Sequence, residues 1–215
     1  MGSHKLILKK VGIALVIVGL IDIGFFIYCI KNEISYSSSF NIFSVVAGIF
    51  LLRGSLGAAK NITFFAAFML TAFIGLIIML PFMEPIELRV IAFKLSPLTT
   101  ILTYLISFFV LGFVYWVYRN LSSEVVMEAR KNAGLSYGTP KLAFGVGGVL
   151  VVGLSIAMYF TNNGTSAAIA KSKALEKFGS EYKYHISGMS FAGNSGSARL
   201  KAYRMGEIKN VRVEW

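Results

Sequence analysis

Residues 11–30 read VGIALVIVGLIDIGFFIYCI, with Asp22 the only charged side chain in the stretch. A helix needs about 20 predominantly apolar residues to cross the hydrocarbon of a bilayer. This segment has that length, and it places a carboxylate near mid-depth. An ionised acid there is costly unless it is paired, so Asp22 marks either a structural ion pair or a functional group.

Four more apolar stretches follow. Working outward from the first, the spans are 8–30, 40–59, 62–82, 98–118 and 142–160. The chain is 56% hydrophobic and 14% charged, against about 25% charged residues in an average soluble domain. The apolar excess is blocked rather than spread, which is the pattern of helices dissolved in lipid. The expected fold is an all-α polytopic membrane bundle of five transmembrane helices (residues 1–161). A small C-terminal α+β domain, extracytoplasmic, follows it (162–215). Arg53 makes the second span the weakest of the five.

Basic residues flank the spans unevenly. Lys5, Lys9, Lys10, Arg53, Lys60, Arg119, Arg130, Lys131 and Lys141 fall on one side, and only Lys31, Arg89 and Lys94 in the short connections of the other. Positive loops stay in the cytoplasm. The N-terminus is therefore expected inside and, after an odd number of crossings, the C-terminus outside. Tyr115, Trp116 and Tyr118 suit the inner headgroup belt. A bacterial inner membrane is the expected location. The net charge of +11 is assigned to orientation rather than to nucleic acid, which is not expected as a partner.

Two loops carry pattern. In 119–141, Ser122 or Ser123 can cap a short helix that Gly134 ends. In 83–97, Glu84, Glu87, Arg89 and Lys94 mix with Ile86, Leu88, Val90, Ile91 and Phe93, as in an amphipathic segment at the interface or a plain link.

Beyond residue 160 the periodicity changes. Thr161-Asn162-Asn163-Gly164 is a turn, Thr165 or Ser166 caps a helix through Phe178, and Gly179 stops it. Three alternating runs follow, 182–191, 198–203 and 208–215, with turns at 192–196 and Met205-Gly206. This predicts one helix and a three-stranded antiparallel meander, with Val211, Val213 and Trp215 on one face. The tail is small for an independent fold and is expected to lean on the membrane, the outer loops or a partner. It has nine basic and four acidic residues. Lys183, Arg199, Lys201 and Arg204, with Tyr182 and Tyr203 as exposed aromatics, are the candidates for binding a partner or anionic headgroups. This order of one helix, then strands, with Trp215 closing, resembles small extracytoplasmic modules of the PepSY and cytochrome-oxidase-assembly types. The likeness covers the tail alone.

Chemistry-bearing motifs are few. Asp22 is expected to pair with Arg53 inside the membrane; otherwise the second span ends near Leu52 and Arg53 is an interfacial orientation charge. Thr103, Tyr104 and Ser107 are conceivable polar companions. Small-xxx-small pairs, Ala143/Gly147 and Gly153/Ala157, let helices approach closely, and Gly12, Gly19 and Gly48 can serve likewise. Gly145-Val146-Gly147 starts like a dinucleotide loop, but Leu150 stands where the third glycine belongs, with no strand before it. The lone Cys29 and the two histidines, His4 and His185, make no metal or haem site, and no cofactor or catalytic group is expected. The composite expectation is a non-catalytic accessory, assembly or interaction subunit. It sits in the lipid bilayer and binds another membrane or periplasmic protein through its basic domain. The alternative is a small transporter or channel using Asp22 as an ion or proton site.

Overall fold

A computed structural model describes residues 2–33, 41–135, 138–192 and 195–215. The elements, in order, are α1 (Ser3–Lys31), α2 (Asn41–Leu52), α3 (Leu56–Met83), α4 (Ile86–Leu95), α5 (Pro97–Leu121), α6 (Glu124–Asn132), α7 (Lys141–Asn163) and α8 (Thr165–Phe178). The strands β1 (Lys183–Ala192), β2 (Ser195–Arg204) and β3 (Glu207–Glu214) close the chain. Among the described residues four helices are long and apolar enough to cross a membrane: α1, α3, α5 and α7. The second expected span differs. Its start at residue 40 lies outside the described residues, and α2 ends at Leu52. The chain turns at Arg53, and residues 56–59 belong to α3.

The turn has a chemical cause. Gly54 takes φ +77°, a left-handed conformation that glycine adopts without a Cβ clash. Its N–H reaches Leu51 O at 2.9 Å, and the Ser55 N–H reaches Phe50 O at 3.1 Å. This is the paired closure of a Schellman motif. Ser55 Oγ then accepts the Ala58 N–H at 3.2 Å and caps α3. One helix ends and the next begins within three residues, with few backbone groups left over.

The chain forms two compact units, Met1–Thr71 with Leu111–Gly147, and Ala72–Val110 with Gly148–Trp215. In the first, α1 packs against α2. Leu8, Val11, Gly12, Leu15 and Gly19 form a buried stripe at helical spacing. Gly12 meets Gly48 and Leu52, and Gly48 meets Val16, so the two helices run antiparallel. The small stripe Ala59, Thr63, Ala67 and Leu70 is buried on α3. Lys10 Nζ lies 5.5 Å over the Trp116 ring, and Tyr118 meets Phe144 edge to face. α6 ends in a second Schellman closure, with Gly134 at φ +71° and the Leu135 N–H on Arg130 O. Ser123 occupies its N-cap position without capping by its side chain; its hydroxyl donates instead to Asn120 O.

In the second unit the sheet has the order β1-β2-β3, antiparallel throughout. A bulge between Ile186 and Gly188 shifts the alternation of β1. It brings Met189 onto the same face as Ile186, as the odd spacing of these two residues requires. That face and α8 enclose a core of Ala167, Ala170, Ala174, Ile186, Ala198, Leu200 and Val213, flanked by Phe178, Tyr184, Val211 and Trp215. Trp215 exchanges both backbone hydrogen bonds with Gly196, at 2.7 and 2.9 Å. A Cβ on Gly196 would stand 2.5 Å from the indole. The loop over 83–97 is helix α4, and α4 packs against β2 and β3.

Candidate interaction surface

The second face of the sheet is polar by alternation. On β2 it carries Ser197, Arg199, Lys201 and Tyr203; on β1 it carries Lys183 and His185, the latter opposite Lys201. This face meets the acidic start of α4. Lys201 Nζ lies 2.6 Å from Glu84 Oε1, with both side chains about one-third exposed. Lys183 Nζ lies 2.5 Å from Glu87 Oε2, with both mostly exposed. Arg89 donates to Glu84 O at 3.0 Å, which holds the turn before α4 in place. Leu88 and Tyr203 are buried in the same unit. Exposed ion pairs contribute little on their own. Here they set register, beside the buried Leu88 and Tyr203.

His185 is half-buried on this face. Burial lowers its pKa first; Glu84 pulls it up, and Lys201 and Lys171 push it down. The Lys183 ammonium is raised, chiefly by its hydrogen bond to Glu87. Burial raises the Tyr203 phenol.

A second cluster sits at one edge. The Tyr182 hydroxyl donates to Glu207 Oε2 at 2.8 Å and accepts from Lys209 Nζ at 3.0 Å. The Arg204 guanidinium lies 4.7 Å from its ring centroid, a cation–π arrangement. Arg204 also pairs with Glu181 at 3.2 Å and Glu207 at 2.8 Å. Hydrogen bonds from Lys209 and then Tyr182 pull the Glu207 carboxyl down to about 2.

Of the four basic residues singled out from sequence, three therefore meet acids within the chain: Lys183, Lys201 and Arg204. Arg199 is exposed and makes no ion pair among the described residues. The two tyrosines are not exposed as expected. Tyr182 is 7% and Tyr203 6% accessible. Cations cover the first, and the second lies on the face turned to α4. What the tail does present is Phe191, Met205, Lys173 and Lys177. Sequence reading missed Glu84 and Glu87 as partners, although two acids opposite a basic tail are a usable signal.

Asp22 and Arg53 are not brought together. Leu52 is level with Gly12, so Arg53 sits near the start of α1. Asp22 lies ten residues further along, roughly 15 Å at helical rise. Arg53 is exposed in the turn after α2, and Asp22 is half-buried on α1. On α5, Thr103 donates to Thr99 O and Ser107 to Thr103 O, so these hydroxyls are satisfied within their own helix.

The glycine pairs divide. Ala143 and Gly147 are buried on α7, and a Cβ on Gly147 would stand 2.9 Å from Phe68 O. Gly153 and Ala157 are exposed, and Gly153 has open space around it. A close approach of helix to helix backbone is elsewhere: a Cβ on Gly48 would meet Gly12 O at 2.6 Å. Gly75 likewise fits against Val151.

The long helices carry much exposed apolar surface, including Ile21, Phe25 and Ile27 on α1 and Leu105, Ile106, Phe108 and Phe109 on α5. Surface of this extent in water marks an interaction site or a lipid contact, and it is consistent with a membrane protein. Compared with known protein families, characterised proteins and solved structures, the chain matches none of them.

Proposed function

We propose that the chain is a non-catalytic integral membrane protein. In this reading it is an accessory or interaction subunit of a bacterial inner membrane, and it presents its basic α+β domain (162–215) to another membrane or periplasmic protein. The observation that carries this is the seat of the tail on α4. Glu84 and Glu87 hold the sheet by Lys201 and Lys183, while Arg199, Phe191 and Met205 stay outward. A fixed domain with outward cation, aromatic and thioether groups is built to be met by something else.

Five crossings fit the register of the first unit. α2 runs antiparallel to α1, and α3 starts just beyond the turn at Gly54. α2 therefore returns the chain towards the start of α1. The N-terminus is cytoplasmic in this scheme, with nine flanking basic residues on its side.

Gentle purification of the full chain from its native membrane tests the reading. The expected result is a stoichiometric protein partner that is lost in Arg199→Glu or Phe191→Asp. A homogeneous protein without a partner, which moves ions into liposomes and stops doing so as Asp22→Asn, would overturn it in favour of transport.

A further inference from the structure

His185 stands where three elements of the second unit meet. In the register of β1 and β2 it lies directly opposite Lys201, and side chains so placed on one face of a sheet are close enough to interact. Lys201 is itself 2.6 Å from Glu84, in the link before α4. The imidazole is half-buried, and charged groups surround it. Its own strand supplies Lys183, bonded to Glu87 of α4. From β2 come Arg199 and the Tyr203 phenol, on the same face as Lys201. The α4 side adds Arg89, which donates to Glu84 O. From α8 comes Lys171, which donates to Asn162 O at 3.1 Å. Cations thus outnumber acids around His185, and each of the two carboxylates already holds a lysine. A neutral ring fits this arrangement. An imidazolium would add a further cation beside Lys201, in competition for Glu84. Burial, helped by Lys201 and Lys171 against the pull of Glu84, keeps the His185 pKa below its ordinary 6.5.

We propose that His185 is a proton-operated latch, whose protonation loosens the sheet from Glu84 and Glu87 and uncovers the face that carries Lys183 and Lys201 while the tail stays folded. A residue that holds a proton less well when seated favours the open form as acid is added. The seat is therefore fully held above the ordinary imidazole value and is lost as pH falls through the lowered one. The core survives because it lies on the opposite face, where Ile186, Ala198, Leu200 and Val213 pack on α8 through apolar side chains. The latch does not depend on which partner the tail engages, and it needs none to operate.

Nitroxide labels at Phe93→Cys on α4 and Asn210→Cys on β3, both exposed positions, read the seat in the purified full chain through the distance between the two spins. Lowering the pH from about 7.5 to about 5.5 should add a longer-distance population, growing about tenfold for each unit by which seating lowers the His185 pKa. The same labelled chain with His185→Gln should hold one distance at both pH values, because its amide has no charge to gain. Backbone amides around Leu200 should keep their exchange protection throughout, after correction for intrinsic rates, which separates lifting from unfolding. A distance that ignores pH in the labelled parent, or a pH response that survives in His185→Gln, overturns the proposal. Loss of Leu200 protection over the same range overturns it too.

Discussion

Glu207 illustrates how local chemistry sets a titration. Its carboxyl accepts from Tyr182, Arg204 and Lys209 and sits at about 2 instead of 4.5. A lowered folded-state pKa gives stability that is fully present above the unfolded value and lost as pH falls through the folded one. The tail should therefore lose stability between about pH 4.5 and 2, and Glu207→Gln should flatten that part of a denaturation-against-pH curve. His185 has the same sign at higher pH. Its folded pKa is also lowered, so a further loss begins as pH drops below its ordinary 6.5, and His185→Gln should remove it. Leu200, fully buried in the tail core, sets the scale for packing. Leu200→Ala should cost about 2–5 kcal/mol, read as faster amide exchange across β2. None of these partnerships was legible from residue types alone. Tyr182 and Tyr203 read as exposed aromatics because nothing in a linear chain says that Arg204 or α4 will cover them.

The elements themselves were far more legible. α8 stops before Gly179, at φ +92°, as expected, but its start differs: α7 stays helical through Asn163, where a turn was expected, and the N-cap is Gly164 with no side-chain cap from Thr165 or Ser166. The three strands follow from alternation, whereas the bulge between Ile186 and Gly188, which puts Ile186 and Met189 on one face, was not anticipated. The second span ends at Leu52, as the alternative reading of Arg53 had it, and not at residue 59, for an equally local reason. Apolar residues continue on both sides of Arg53, and hydropathy cannot see that Gly54 and Ser55 close one helix and cap the next. The α1–α2 crossing gives a sharp test. A side chain on Gly48 would meet the backbone of α1 at Gly12 O and Val16 N, which cannot move aside as a flexible side chain would. Gly48→Leu should therefore destabilise the pair by about 1–3 kcal/mol or more, seen as a lower melting temperature in detergent. Gly153→Leu, where space is open, should leave it unchanged.

At the scale of the whole molecule, the five crossings proposed above are a statement about compartments. Cys29 is the only cysteine and is 1% exposed, so it makes a quiet background for labelling. In intact cells a membrane-impermeant maleimide should modify Arg199→Cys and spare Ser55→Cys; the reverse pattern would invert the scheme. That several helices are long and apolar enough to cross a membrane could be anticipated, because apolar blocks are additive along a chain. The Asp22–Arg53 pairing could not, since it depends on the register of two helices, which only their glycine contacts define.

The seat of the sheet on α4 has one more consequence. Its outer bond, Lys183–Glu87, is open to solvent, and its inner bond, Lys201–Glu84, is half-sheltered. Mobile ions screen the first over about 8–10 Å at ordinary ionic strength, and concentrated brine screens both. Leu88 and Tyr203 are indifferent to salt. Grip in dilute buffer is electrostatic and oily together; in brine only the oily half persists. A polyanion competing for those two lysines would then loosen the register of the domain on α4 while leaving the oily half in place.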